Sequence, residues 1–182
     1  MSYDISLKDR VTGETIELDN VHFMTGGTYA IGGTRELWLN ITYNYADYYY
    51  DATDGDPRFA NDDYDGGVRY GIRGIYGKTG AESIPMLKDM IQRIEEKYKC
   101  GDEWITTVRK KTRLIDLNGN EYPDPIHAIL HGLPRKEEKY EIEVNEGPNE
   151  DYWEPTAGNA IKPLYKLIAM AELRPDGVWD GD

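Results

Sequence analysis

The sequence offers little that would stabilise a fold covalently or carry it to a membrane. Cys100 is the only cysteine among 182 residues, which excludes a disulfide within the chain and a zinc site built on several cysteines. No segment approaches the ~20 apolar residues of a membrane-spanning helix. Residues 1–10 also lack the apolar run of a signal peptide. We therefore expect a cytoplasmic protein that folds around a hydrophobic core and contacts no membrane.

Basic residues are scarce as well. The chain has 21 Lys and Arg against 34 Asp and Glu, a formal net charge of -13. Binding of nucleic acid through its phosphates requires a basic surface, so we expect no direct nucleic-acid binding. Phenylalanine is nearly absent, with 2 residues against 15 tyrosines. Tyrosine joins an apolar ring to a polar hydroxyl and is typical of surfaces that contact partners.

Recognisable catalytic motifs are missing too. The sequence has no nucleophile elbow, no Cys–His pair and no dinucleotide-binding fingerprint. Gly77-Lys78-Thr79 resembles the end of a phosphate-binding loop, but position 72, where that motif needs a glycine, is isoleucine. The sequence therefore favours a non-enzymatic protein with no cofactor and no metal site, although carboxylate chemistry leaves weak marks in a sequence.

The periodicity of the chain indicates an α/β protein of the α+β type. Alternating residues at Tyr3–Leu7 and Glu14–Leu18 predict a β-hairpin, and residues 36–45 form the clearest strand. Thr79 and Glu82 have the spacing of a capping box before an apolar stripe. We predict a mainly antiparallel sheet with two long helices, 83–98 and 159–173, packed on one face. Residues 1–182 would form a single domain with a β-rich insertion at 100–150.

The strand at 36–45 supplies the first candidate site. Its sequence, ELWLNITYNY, places apolar residues on one face and a polar series on the other. Amide and hydroxyl groups beside an aromatic ring suit a small polar ligand, and an arginine nearby suits a phosphate or carboxylate. The predicted ligand-binding residues are Trp38, Asn40, Thr42, Asn44 and Arg73. The alternative is that Asn44 caps a following helix and that Asn40 satisfies main-chain groups.

An acidic, tyrosine-rich stretch at 47–67 supplies the second candidate. Its sequence, DYYYDATDGDPRFANDDYDGG, predicts a long loop after at most one helical turn. Long loops of this kind are commonly functional, and this one would offer a charged surface to a partner protein. The predicted partner-binding residues are Tyr49, Asp54, Asp56, Asp62 and Asp63.

Three segments resemble a family of small proteins from phages, prophages and related mobile elements. They are LNITYNY at 39–45, GIRGIYGKTGAESIPML at 71–87 and DYWEPTAGNAIKPLYKLIAMAELRPDG at 151–177. The resemblance covers most of the predicted core outside residues 99–150. It implies an accessory protein of a phage or mobile element in the cytosol of a host cell, and it implies no particular activity, cofactor or catalytic residue.

Three classes of function fit these observations. The first is a non-enzymatic inhibitor of host antiviral defence, which blocks a defence protein or sequesters a small nucleotide-like ligand. The second is a small enzyme acting on a nucleotide-like metabolite. The third is an acidic mimic of nucleic acid. Homo-oligomerisation is left open by all three.

Overall fold

The computed structural model describes residues 2–22, 33–62, 68–101 and 103–182, with only the main chain described for residues 61, 62, 68 and 69. The described elements, in chain order, are β1 (Ser2–Lys8), β2 (Glu17–His22), β3 (Thr34–Glu36), β4 (Trp38–Thr42), α1 (Ala46–Thr53), β5 (Asn61–Asp62), β6 (Val68–Arg69), α2 (Gly80–Tyr98), β7 (Thr106–Ile115), α3 (Pro125–Leu130), β8 (Lys136–Asn145), α4 (Ala157–Leu173) and β9 (Val178–Gly181). Short 3-10 helices lie at Tyr43–Tyr45, Pro57–Phe59 and Ile72–Ile75. The combination of helices with antiparallel strand pairs is an α+β fold.

The chain divides into two compact units. The first comprises Met1–Trp104 and Glu146–Asp182, and the second comprises Ile105–Asn145. The first unit is built on a three-stranded sheet in which β1 pairs antiparallel with β4 on one side and with β9 on the other. One face of this sheet is buried in the core. It carries Tyr3, Ile5, Leu7, Leu39, Ile41 and Trp179.

The long helices α2 and α4 pack into the same hydrophobic core as the buried sheet face. Helix α2 begins with the capping box predicted from the sequence: the Thr79 amide donates to Glu82 Oε2 at 2.8 Å, and the Glu82 amide donates to Thr79 Oγ1 at 3.2 Å. At the start of α4, Thr156 Oγ1 accepts the amide of Asn159 at 3.2 Å. Among the described residues, no helix is long and apolar enough to cross a membrane.

Two local predictions for the first unit differ from the structure. The turn at Asp9–Gly13 is present, but the expected hairpin is reduced to one bridge between Lys8 and Thr15, because β2 pairs with β3 instead. The stretch at 47–67 is also no simple loop. Helix α1 occupies its beginning because tyrosine rings there are buried in the core.

The second unit is a long β-ribbon with a short helix in its connection. Strands β7 and β8 pair antiparallel over ten positions, from Thr106 opposite Asn145 to Ile115 opposite Lys136. The chain turns at Asn118-Gly119, and Ile115 forms a bridge with Glu121 across this turn. The β-rich segment predicted at 100–150 therefore has Ile105–Asn145 as its compact part.

Candidate functional site

The 3-10 helix at Ile72–Ile75 positions Arg73 at the edge of the core. Ile72 and Ile75 are buried and anchor the segment from both ends. Gly71 has φ +109, and a Cβ there would lie 2.7 Å from the ring of Tyr50. Only a glycine allows this close approach together with a positive φ. The segment therefore presses against α1 and leaves Arg73, which is half-buried, as its projecting cation.

Two contacts orient the Arg73 side chain. Its Nε donates to the main-chain oxygen of Asp182 at 2.9 Å, and its guanidinium carbon lies 5.1 Å from the centre of the Tyr3 ring. A guanidinium over an aromatic face is stabilised electrostatically. The hydrogen bond uses the inner nitrogen of the side chain, and the Tyr76 hydroxyl, which donates to the same Asp182 oxygen at 3.2 Å, lies beside the guanidinium. Arg73 is therefore held in a defined orientation.

Tyr3 belongs to a cluster of tyrosines, which we call the phenol cluster: Tyr3, Tyr43 and Tyr50. The ring centres of Tyr3 and Tyr43 lie 5.0 Å apart, and the hydroxyls of Tyr43 and Tyr50 form a 2.7 Å hydrogen bond. Tyr3 is 1% exposed, and its hydroxyl has no hydrogen-bond partner among the described residues. A buried hydroxyl without a partner is uncommon in native proteins.

Tyr3 and Tyr43 stay protonated at neutral pH. Burial raises the pKa of Tyr3 far above its usual value, and the neighbouring Tyr50 phenol raises it further. The hydrogen bond with Tyr50 and partial burial raise the pKa of Tyr43, against an opposing effect of Arg73. The site therefore combines neutral O–H donors with one cationic N–H donor. Such a set suits an oxyanion, such as a phosphate or carboxylate group, on a ligand that also has polar or ring surface.

The polar residues of β4 are engaged in holding the first unit together. Asn40 Nδ2 donates to Ser2 Oγ at 2.8 Å and to Asp4 Oδ1 at 2.6 Å, which links β4 to β1. Thr42 Oγ1 accepts the Asn44 amide and so caps the following 3-10 helix. Asn44 Nδ2 donates to the main-chain oxygen of Trp153 at 2.8 Å. These contacts are structural, as in the alternative, but they differ from it in detail: Thr42 and not Asn44 is the cap, and Asn40, among the described residues, bonds two side chains and no main-chain group.

Arg73 does not lie above the Asn40 side of the sheet, as the sequence prediction had placed it. In the β1–β4 register, Asp4 lies opposite Asn40 and Tyr3 lies opposite Ile41. Successive side chains of a strand point to opposite faces, so Asn40 and Tyr3 are on different sides. Arg73 stacks on Tyr3. The structure thus separates Arg73 from Asn40 and from half-buried Trp38, which lies on the Asn40 side.

The predicted acidic partner surface is also dispersed. Tyr49 is fully buried, and its hydroxyl donates to the Ala160 main-chain oxygen at 2.8 Å, so it is not available to a partner. Asp56 accepts hydrogen bonds from Arg58 and Arg93. These contacts hold the pKa of Asp56 well below the usual range, and the hydrogen bond from Arg58 has the largest effect. Asp54 is exposed at the end of α1. The side chain of Asp62 and the whole of Asp63 lie outside the described residues.

The phenol cluster was missed from the sequence. Alternation assigned Tyr3 and Tyr43 to the apolar face, and nothing local marks Tyr50 as their neighbour. The available signal was the excess of tyrosine over phenylalanine, because a core built for packing alone has no need of hydroxyls. The described residues include no cluster of three or more His, Cys, Asp or Glu side chains that could hold a metal ion.

No protein-family model, curated protein or solved structure matches this chain.

Proposed function

We propose that this protein binds a small anionic, nucleotide-like ligand at Arg73 and the phenol cluster and holds it without transforming it. In this proposal the protein is an accessory factor of a phage or mobile element, and removal of the ligand inhibits a component of host antiviral defence. The phage context comes from the sequence resemblance alone. The ligand class comes from the chemistry of the site.

The observation that supports the proposal most strongly is the fixed orientation of the Arg73 side chain. Its Nε is occupied by Asp182 and its face by Tyr3, so the side chain is held in one orientation. Holding a long side chain in place costs conformational entropy, and that cost has already been met in the free protein. The outer nitrogens then form a fixed fork that matches two oxygens of a phosphate or carboxylate.

The phenol cluster adds selectivity to this charge. A hydroxyl that donates to an anion contributes more than one that donates to a neutral acceptor. The Tyr3 hydroxyl has no hydrogen-bond partner among the described residues, and the Tyr43–Tyr50 pair shares one hydrogen bond between two hydroxyls, so one O–H of that pair is not used within it. These neutral donors favour a ligand with several oxygens close to its negative charge, as in a sugar phosphate.

The direct experiment is calorimetric titration of the protein with AMP, ribose 5-phosphate, inorganic phosphate and adenosine. We expect both organic phosphates to bind more tightly than phosphate alone and adenosine not to bind measurably. AMP recovered after denaturation should be intact and undiminished. Time-dependent loss of AMP would favour the enzyme alternative, and absence of binding by every phosphorylated probe would contradict the proposal.

A further inference from the structure

The loop at 147–156 belongs to the first unit and is held in place by side chains from other parts of that unit. Asn159 is 0% exposed and lies at its centre. Its Nδ2 donates to the main-chain oxygens of Asp151 at 2.9 Å and Glu154 at 3.2 Å, while its Oδ1 accepts the Asn149 amide at 3.0 Å. Lys162 adds a hydrogen bond to the Asn149 oxygen at 2.7 Å.

Consecutive carbonyl oxygens of this loop are also satisfied from outside it. The donors are Tyr45 to Tyr152, Asn44 to Trp153 and Tyr48 to Pro155. Buried Glu146 meanwhile accepts the amide of Ala157 at 3.0 Å, where α4 begins. Surface loops usually leave such carbonyls to water. Here the main chain is fixed by protein groups on both flanks.

The fixed loop displays an indole ring. Trp153 is 45% exposed, and its ring packs against Tyr152 with the centres 4.8 Å apart. An exposed tryptophan held by a rigid main chain is a pre-organised contact surface, because little entropy remains to be lost on binding. Tryptophan is also among the residues enriched at the energetic centres of protein interfaces.

The charge around this indole selects the partner. Glu150 and Asp151 are exposed immediately before it, and the nearby cation of Lys162 is engaged with Asn149 and Asn159. The second unit contains seven basic and seven acidic residues, so the whole net charge of -13 resides in the first unit. A second copy would bring the same acidic surface against this one, which disfavours self-association here.

We propose that the loop at 147–156 docks an arginine-containing segment of a partner protein, with Trp153 stacking on the guanidinium and Glu150 and Asp151 facing the positive charge. Arginine is the most frequent partner in cation–π pairs, and tryptophan is the best ring for them. The proposal is independent of ligand binding at Arg73.

Fluorescence anisotropy with a labelled peptide of four Arg-Gly repeats tests this assignment. Trp153→Ala should weaken binding about tenfold, and Trp153→Phe should weaken it less, because phenylalanine keeps a weaker cation–π face. The matched control is Tyr165→Ala, which removes another exposed ring, 52% accessible, on α4. Tyr165→Ala should bind like the wild type, and a peptide of Lys-Gly repeats should bind more weakly than the arginine peptide.

A basic peptide is also attracted non-specifically to an acidic protein. Two charge variants distinguish this general attraction from docking at Trp153. Glu150→Gln and Glu172→Gln each remove one exposed negative charge, but only the first lies beside Trp153 in the chain. We expect a loss of several-fold for Glu150→Gln and little change for Glu172→Gln. Equal losses in both, or wild-type affinity of a folded Trp153→Ala variant, would overturn the proposal. A change of oligomeric state on Trp153→Ala would instead assign the surface to self-association.

Discussion

The hydroxyl groups of Tyr43 and Tyr50 lie 2.7 Å apart and share a single hydrogen bond. One hydroxyl must donate to the other, so the pair retains one O–H that is not used between them. This relationship lets two tyrosines remain locked together while still offering a donor beside Arg73.

Removal of either hydroxyl should therefore affect binding more than folding. We expect the double variant Tyr43→Phe/Tyr50→Phe to weaken AMP binding about tenfold, since a hydrogen bond to a charged group contributes roughly 1.5–3 kcal/mol. Each single variant should weaken it less, because the remaining hydroxyl still has an O–H to donate. The free energy of unfolding should change by no more than ~1.5 kcal/mol, because the rings stay in place. The control is Tyr165→Phe, which removes a hydroxyl that contacts Glu95 at 3.3 Å outside the phenol cluster. Wild-type affinity in the double variant would remove the Tyr43–Tyr50 pair from the site.

The close packing of the arginine-bearing segment gives a second prediction. A methyl group at Gly74 would overlap the main chain of Phe59, which cannot move aside as a flexible side chain can. Gly77→Ala is the comparison, because Gly77 has φ +75 but no atom within 4 Å of the added carbon. We expect Gly74→Ala to lower the free energy of unfolding by more than ~2 kcal/mol and Gly77→Ala by about 1 kcal/mol. Denaturant unfolding measures both, and similar small losses would mean that the segment is packed more loosely than described.

Asp56 gives the fold a specific dependence on pH. Its contacts with Arg58 and Arg93 lower its pKa in the folded state. A carboxylate of this kind stabilises the fold above its unfolded-state pKa of ~3.9, and that contribution is lost as the pH falls through the folded-state value. The stability difference between wild type and Asp56→Asn should be fully present at pH 6 and shrink below about pH 4. Asp54→Asn, at an exposed position, should differ little from wild type at either pH, and a constant difference for Asp56→Asn would contradict the assignment.

The second unit should be removable at its own boundaries. Thr106 and Asn145 are paired across the ribbon, so a short Gly-Ser linker can join Trp104 to Glu146. We expect the variant lacking 105–145 to keep a cooperative thermal transition. Deletion of 101–149 should abolish that transition, because it removes buried Glu146 and the Asn149 contacts with Asn159. Equal behaviour of the two deletions, whether both folded or both unfolded, would show that the boundary is misplaced.

The parts of the fold that depend on local pattern were predictable from the sequence. Alternation at 36–45 identified Leu37, Leu39 and Ile41 as buried, and all three are at most 1% exposed. The capping box predicted at Thr79 is present at the start of α2, although the helix was predicted from 83 and begins at Gly80. In each case the signal lies within a few residues, because hydrogen bonding and side-chain direction repeat with the period of the element.

The parts that depend on distant contacts were not predictable. The Tyr48 and Tyr49 hydroxyls reach Glu146 and Ala160, about a hundred residues along the chain, so an acidic, tyrosine-rich segment becomes a buried helix. Asn40 likewise has the composition of a binding residue, but strand pairing brings Ser2 and Asp4 to its amide. Because those contacts link two strands, we expect Asn40→Ala to lower stability and to leave ligand affinity intact.

The central claim is that Arg73 supplies the cation for an anionic ligand, and titration of AMP into Arg73→Gln tests it most directly. The matched control is Arg35→Gln, because its loss changes the net charge equally. Arg35 is exposed, and its Nε also donates to a main-chain oxygen, that of Leu18, at 2.9 Å. We predict at least a tenfold loss of affinity for Arg73→Gln and less than a twofold change for Arg35→Gln. Wild-type affinity in a folded Arg73→Gln variant, or the same loss in both variants, would contradict the claim.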